Sequence, residues 1–173
     1  MVFLHGHGVS TSKSVRIFKK YGDEAVKIVS ENSYRLAEDI RGIGFKSADT
    51  IAMNLGVEKT AMFRARAGIS YALGESSGNE GHCCLARNEP VKLAVELLDI
   101  PEAVINEAID EELKEGNVVE DVIPKAGMIY LTPLFLAERN IVRLIAEALS
   151  ECSSDPGFLS DPVQYLRHPD TGI

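Results

Sequence analysis

Two glycine pairs near the front of this chain restrict its fold more than any other feature. Gly6-His7-Gly8 and Gly42-Ile43-Gly44 stand 36 positions apart, and each is followed by one apolar residue and a helix-like run. Leu4 precedes the first pair as Ile40 precedes the second, and Val15 lines up with Ile51 in the helix behind. Glycines spaced in this way let a chain leave one helix, turn with positive φ and enter the next helix at once. The pattern therefore predicts two helical hairpins in tandem.

The second copy, Ile40-Arg41-Gly42-Ile43-Gly44-Phe45-Lys46-Ser47-Ala48-Asp49, shows what such a turn offers chemically. The second glycine has no side chain, so a phosphate can approach the backbone closely. The first N–H groups of the new helix lack intrahelical acceptors and lie at the positive end of its dipole. Ile43 anchors the turn in the core, while the Lys46 ammonium and the Ser47 hydroxyl stand within reach of the same phosphate. Contacts of this kind fix a protein on a strand without reading bases. At the 36-residue offset, His7 takes the anchor position of the first copy, and Ser10 and Thr11 stand where the second has Lys46 and Ser47. Lys13 and Arg16 then supply charge from the following helix. The candidate DNA contacts are thus Gly42, Gly44, Lys46 and Ser47, followed by Gly6, Gly8, Ser10, Thr11 and Lys13. Only Met1 to Leu4 precede the first turn, so the first hairpin is expected to be truncated and the chain to be a piece of a larger protein.

A net charge of −8 opposes a polyanionic partner on its face, but its distribution does not. Residues 1–74 hold eleven Lys and Arg against seven Asp and Glu, a net of +4; the remainder holds seven against nineteen, a net of −12. Local potential, not the total, decides whether a surface accepts phosphate. The three cysteines include an adjacent pair, Cys83-Cys84, and a remote Cys152, which is no disulfide framework. They are expected to be inert core thiols in a reducing cytoplasm. No apolar run is long enough for a membrane span, and the first four residues are too short for a signal peptide.

The remaining punctuation predicts a mainly α protein. Helices are expected from about Thr11 to Tyr21, after Asp23, from Tyr34 to Ile40, from Lys46 to Leu55, and from a Thr60 cap to Gly74. The stretch ESSGNEG, 75–81, reads as a loop. Beyond it come a short strand at 82–85, helices Asn88 to Leu98 and Pro101 to Lys114, and β-rich runs around Pro124-Lys125-Ala126-Gly127 that read as a hairpin. Helix, strand, helix, helix, hairpin is the order of a winged helix. The division expected is 1–59 tandem helix-hairpin-helix bundle, 60–132 small winged-helix-like module with a β-hairpin, 133–152 connecting helix, and 153–173 weakly ordered tail. The third helix of the module carries Glu102, Glu107, Asp110, Glu111, Glu112 and Glu115 against Lys114 alone, which opposes contact with a duplex and suits a solvated face or a docking surface.

The run YGDEAVKIVSENSYRLAEDIRGIGFKSADTIAMNLG, with FRARAGISYALGES and GHCCL after it, resembles the tandem helix-hairpin-helix region of RecD/TraA-type (exodeoxyribonuclease V alpha-like) ATP-dependent DNA helicases. The similarity covers about residues 2 to 150. It implies a DNA-contacting region that precedes the ATPase core of a helicase moving 5′ to 3′ on single strands, in some cases an exonuclease subunit. ATP and Mg2+ would belong to that parent protein, and its ATPase core would be a partner of this region.

The sequence itself carries no P-loop. Gly8-Val9-Ser10-Thr11-Ser12-Lys13-Ser14 ends in Lys-Ser but has Ser12 where glycine is required, so no catalytic residue and no cofactor are assigned here. His5, His7 and the His82-Cys83-Cys84 run lack the second ligand pair that a zinc site needs. Asp49 reads as a helix-face residue, and the absence of Trp argues against a strong base-stacking platform. Two other functions fit the same residues: a free-standing DNA-tethering adaptor in recombination or repair, and a winged-helix transcription regulator.

Overall fold

The computed structural model describes residues 2–123 and 126–153. The front is a set of short helices: α1 (Val2–Gly6), α2 (Thr11–Tyr21), α3 (Ala25–Glu31), α4 (Arg35–Asp39) and α5 (Phe45–Asn54), with a 3-10 turn at Gly22–Glu24. They enclose a core of Leu4, Val9, Ile17, Ala25, Val29, Leu36, Ile40, Ile43 and Ile51. Each short helix contributes one or two side chains to this core, so burial and not helix length holds them. A helix of five residues, α1, precedes the first turn, so the first hairpin has a leading helix where none was expected. Burial of Leu4 at 2 % exposure is what fixes it.

Behind α5 follow α6 (Met62–Glu80), β1 (Cys84–Ala86), α7 (Asn88–Leu98), α8 (Glu102–Glu115), β2 (Val118–Ile123) and β3 (Ala126–Leu131). The three strands form an antiparallel sheet in the order β1-β3-β2, with Leu85 opposite Ile129 and Val119 opposite Tyr130. The chain is mainly α with a small β-hairpin module, and its element order is that of a winged helix. A second core joins α6, α7, α8 and the sheet through Ile69, Leu73, Leu98, Ile105, Ile109 and Ile129. It also takes Phe45, Ala48 and Ala52 from α5, whose Ile51 belongs to the first core. One helix is thus buried on two sides and ties the hairpins to the module.

Three further expectations change. The stretch 75–81 is not a loop: α6 continues through it to Glu80 and stops at Gly81. Ser76 is buried and donates to Glu80 one turn on, so packing and an i,i+4 contact outweigh the weak helix propensity of Gly74 and Gly78. The cap of α6 is Ala61, whose carbonyl accepts from the amides of Arg64 and Ala65, and not Thr60. Cys83 and Cys84 are not core residues either, since Cys83 is exposed and Cys84 half-buried.

A second unit begins at Pro133. Its described part is the helix α9 (Thr132–Ser153), with an Arg143–Glu147 pair one turn apart and Arg139 over the Phe135 ring. The tail expected at 153–173 lies, apart from its first residue, outside the described residues. No helix among the described residues is long and apolar enough to cross a membrane.

Candidate nucleic-acid interface

The conformations of the two turns correct their alignment. Gly8 (φ +78°) and Gly42 (φ +91°) are the left-handed residues, and Val9 and Ile43 behind them are the buried anchors, at 3 % and 2 % exposure. Ser10 and Gly44 then cap α2 and α5 in extended conformation, their carbonyls accepting from Ser14 and Ala48 four residues on. Ser14 and Ala48 are both fully buried, as are Ile17 and Ile51. The repeat is therefore His7-Gly8-Val9-Ser10 against Arg41-Gly42-Ile43-Gly44, an offset of 34 and not 36. Gly6 falls at the end of α1, and His7 is not an anchor: its Nδ1 lies 2.8 Å from the Phe3 carbonyl and its ring sits by Phe3. Val15, paired above with Ile51, is 47 % exposed. Glycine matching misled because the first copy uses serine at its cap, where backbone in the extended region needs no glycine.

With this register, Lys13 and Ser47 are counterparts, and they touch: Lys13 Nζ donates to Ser47 Oγ at 2.8 Å. A residue meeting its own counterpart marks the axis of a two-fold arrangement. Each turn is braced by the opposite helix. Asn54 of α5 donates to the His7 carbonyl at 2.9 Å, and Arg16 of α2 donates to the Arg41 carbonyl at 3.2 Å. A Cβ on Gly8 would lie 2.7 Å from the Asn54 amide, and one on Gly42 would lie 2.6 Å from the Arg16 guanidinium.

The hairpins frame a cleft of about 280 Å3 lined by Gly8, Val9, Lys13, Lys46, Ser47, Thr50 and Ile51. Of the residues singled out in the sequence, Gly8, Lys13, Lys46 and Ser47 meet in it. Gly6, Ser10, Thr11, Gly42 and Gly44 lie in or beside the turns without lining it. Thr50 was missed, although it stands one turn from Lys46 on the same face, where its hydroxyl donates to the Lys46 carbonyl. No carboxylate lines the cleft. Two ammonium groups, two hydroxyls and the N-terminal end of α5 therefore converge on one space, an arrangement suited to an anion.

Asp49 lies on α5 as read, but with fixed partners. It accepts two hydrogen bonds from the Arg64 guanidinium, at 2.8 and 3.1 Å, and a short one from the Tyr34 hydroxyl. Burial first, and the Asp49 carboxylate second, push the Tyr34 phenol far above its ordinary value. Its folded pKa exceeds the unfolded value of about 10, so its contribution to stability is complete below that pH and is lost as pH rises. Tyr34→Phe is expected to flatten the alkaline fall in stability, measured by urea unfolding between pH 8 and 11. Tyr21, raised to about 12 by burial and by Asp39, accounts for part of what remains.

The acidic third helix of the module is neither bare nor solvated along its length. Arg66 pairs with Glu111, Glu112 and Glu115, and Arg87 bridges Asp110 to Glu120. Glu112 is buried. Four of the carboxylates noted in the sequence therefore serve the packing of α8 against α6 and the sheet. Among the described residues no three His, Cys, Asp or Glu side chains cluster as metal ligands.

Comparison with known proteins agrees with the hairpin geometry. Residues 1–84 match the family model described as the ATP-dependent RecD2 DNA helicase HHH domain. The ATP-dependent RecD2 DNA helicase of Deinococcus radiodurans is 26% identical over 161 residues, a match covering 88% of this chain. The same match covers 22% of that relative, so the chain spans about a fifth of its length. In its first 84 residues the chain is thus similar to the helix-hairpin-helix domain of RecD-type helicases.

Proposed function

We propose that this chain is the DNA-backbone-binding region of a RecD-like helicase and grips phosphates without reading sequence. The observation that carries this reading is the convergence of Lys13, Lys46, Ser47 and Gly8, from two separate hairpins, on one cleft free of carboxylates. The bound strand is handed to motor domains that lie outside these 173 residues, use ATP and magnesium, and move 5′ to 3′. The chain's lack of a P-loop and its resemblance to a fraction of a much longer helicase support that division of labour.

The test is a salt-dependent titration with single- and double-stranded oligonucleotides of unrelated sequence. Affinity is expected to fall steeply as salt rises and to be indifferent to sequence. Lys46→Glu should weaken binding about tenfold at fixed salt and reduce the salt slope by about one unit. Binding untouched by Lys46→Glu would remove the cleft from the interface. A strong preference for one short site would instead favour a winged-helix regulator, a role that α8, with its ion-paired carboxylates, is poorly built for.

A further inference from the structure

A second cleft lies beside the first, and Lys46 forms part of both walls. It measures about 260 Å3 and is lined by apolar Tyr71, Leu93 and Leu97 and by polar residues that include Glu75, Asn79 and Glu80, which follow Tyr71 along α6. Tyr71 is stacked on Phe45 at 4.9 Å between centroids, and Phe45 on Tyr34 at 5.6 Å. Three aromatic rings from three distant segments thus form a column that ends in this cleft. Phe45 is the residue directly before Lys46.

We infer that this second cleft receives an unpaired nucleobase of the strand whose phosphate lies over the hairpins, an inference that rests on the DNA-binding reading above. Glu75 and Glu80 repel phosphate, so the phosphate track cannot continue into this space. The same carboxylates accept hydrogen bonds from the exocyclic amines of cytosine, adenine or guanine. Tyr71, backed by Phe45, gives a flat aromatic surface, and stacking on such a surface tolerates any base. Lys46 stands between the two clefts, where the phosphate and base of one nucleotide, or of two neighbours, would straddle it. A continuous duplex keeps its bases stacked inside, so this cleft favours single strands and unpaired ends.

The experiment compares the whole 173-residue chain binding a single-stranded oligodeoxycytidine and an abasic oligomer of equal length, by fluorescence anisotropy. The abasic strand should bind about tenfold more weakly. That difference should vanish in Tyr71→Ala and in Leu93→Glu, while the salt dependence of binding stays. Leu93 is 41 % exposed, so its variant fills the cleft with charge without disturbing the core. Equal affinity of both strands for the unaltered chain, with Lys46→Glu still weakening both, would overturn the base site and leave the backbone reading intact. An abasic penalty that persists in full in both variants would also overturn it, by placing the base elsewhere. Failure of the chain to bind either strand would overturn both readings together.

Discussion

Arg64→Ala should cost about 3–5 kcal/mol of folding stability, the range for removing one partner of a buried ion pair. Only 6 % of the Arg64 side chain is exposed, and its guanidinium serves four acceptors: both Asp49 oxygens and the carbonyls of Lys59 and Leu98. These belong to α5, to the link before α6 and to the end of α7. Its loss leaves the Asp49 charge half-enclosed with only a phenol for company, and two carbonyls without a donor. Urea unfolding and a drop of roughly 10 °C in Tm would register the effect. Arg64→Lys should recover little of it, because one ammonium cannot copy the planar fork that holds both carboxylate oxygens. An Arg64→Ala chain as stable as its parent would show that α5 and the module are held by apolar packing alone.

The second large effect concerns the anchors of the turns. Ile43→Ala removes a side chain 2 % exposed at the centre of the first core and should cost about 2–5 kcal/mol. Val9→Ala, its counterpart, should cost about 2 kcal/mol, since fewer buried methyl groups are lost. His7→Ala should cost under about 1 kcal/mol, because it gives up a half-buried ring contact and one hydrogen bond. The order Ile43, Val9, His7 discriminates between the registers. An offset of 36 makes His7 the equivalent of Ile43 and predicts that its loss is felt most in the first hairpin. Denaturant midpoints of the three variants decide the matter.

Much of the fold was legible because glycine acts locally, at the ends of helices. Gly22, Gly56 and Gly116 end helices where the sequence placed their ends, and β2 and β3 pair as an antiparallel hairpin. Errors arose where a distant partner overrides local preference. Ser76 and Gly78 read as a loop until the burial of one face of α6 is known. The candidate site was legible in part for the same reason. Lys46 and Ser47 follow a glycine turn and announce themselves, whereas the Lys13–Ser47 contact spans 34 residues and leaves no local trace. The aromatic column is a harder case. Tyr34, Phe45 and Tyr71 sit in unremarkable surroundings, and a search for tryptophan misses a platform built by stacking smaller rings from α5, α6 and the turn before α4.

The crossed bracing of the turns has a practical consequence for anyone wishing to borrow this element. Asn54 and Arg16 each hold the carbonyl of the other hairpin, so neither loop owns the scaffold that shapes it. A peptide cut around Gly42 or Gly8 would carry the right letters and lose its external clamp. The portable unit is the pair, from α1 through α5, and α5 itself would need a substitute for the apolar surface it gives to the module. Grafting a single motif into another protein should therefore transplant a sequence without its geometry.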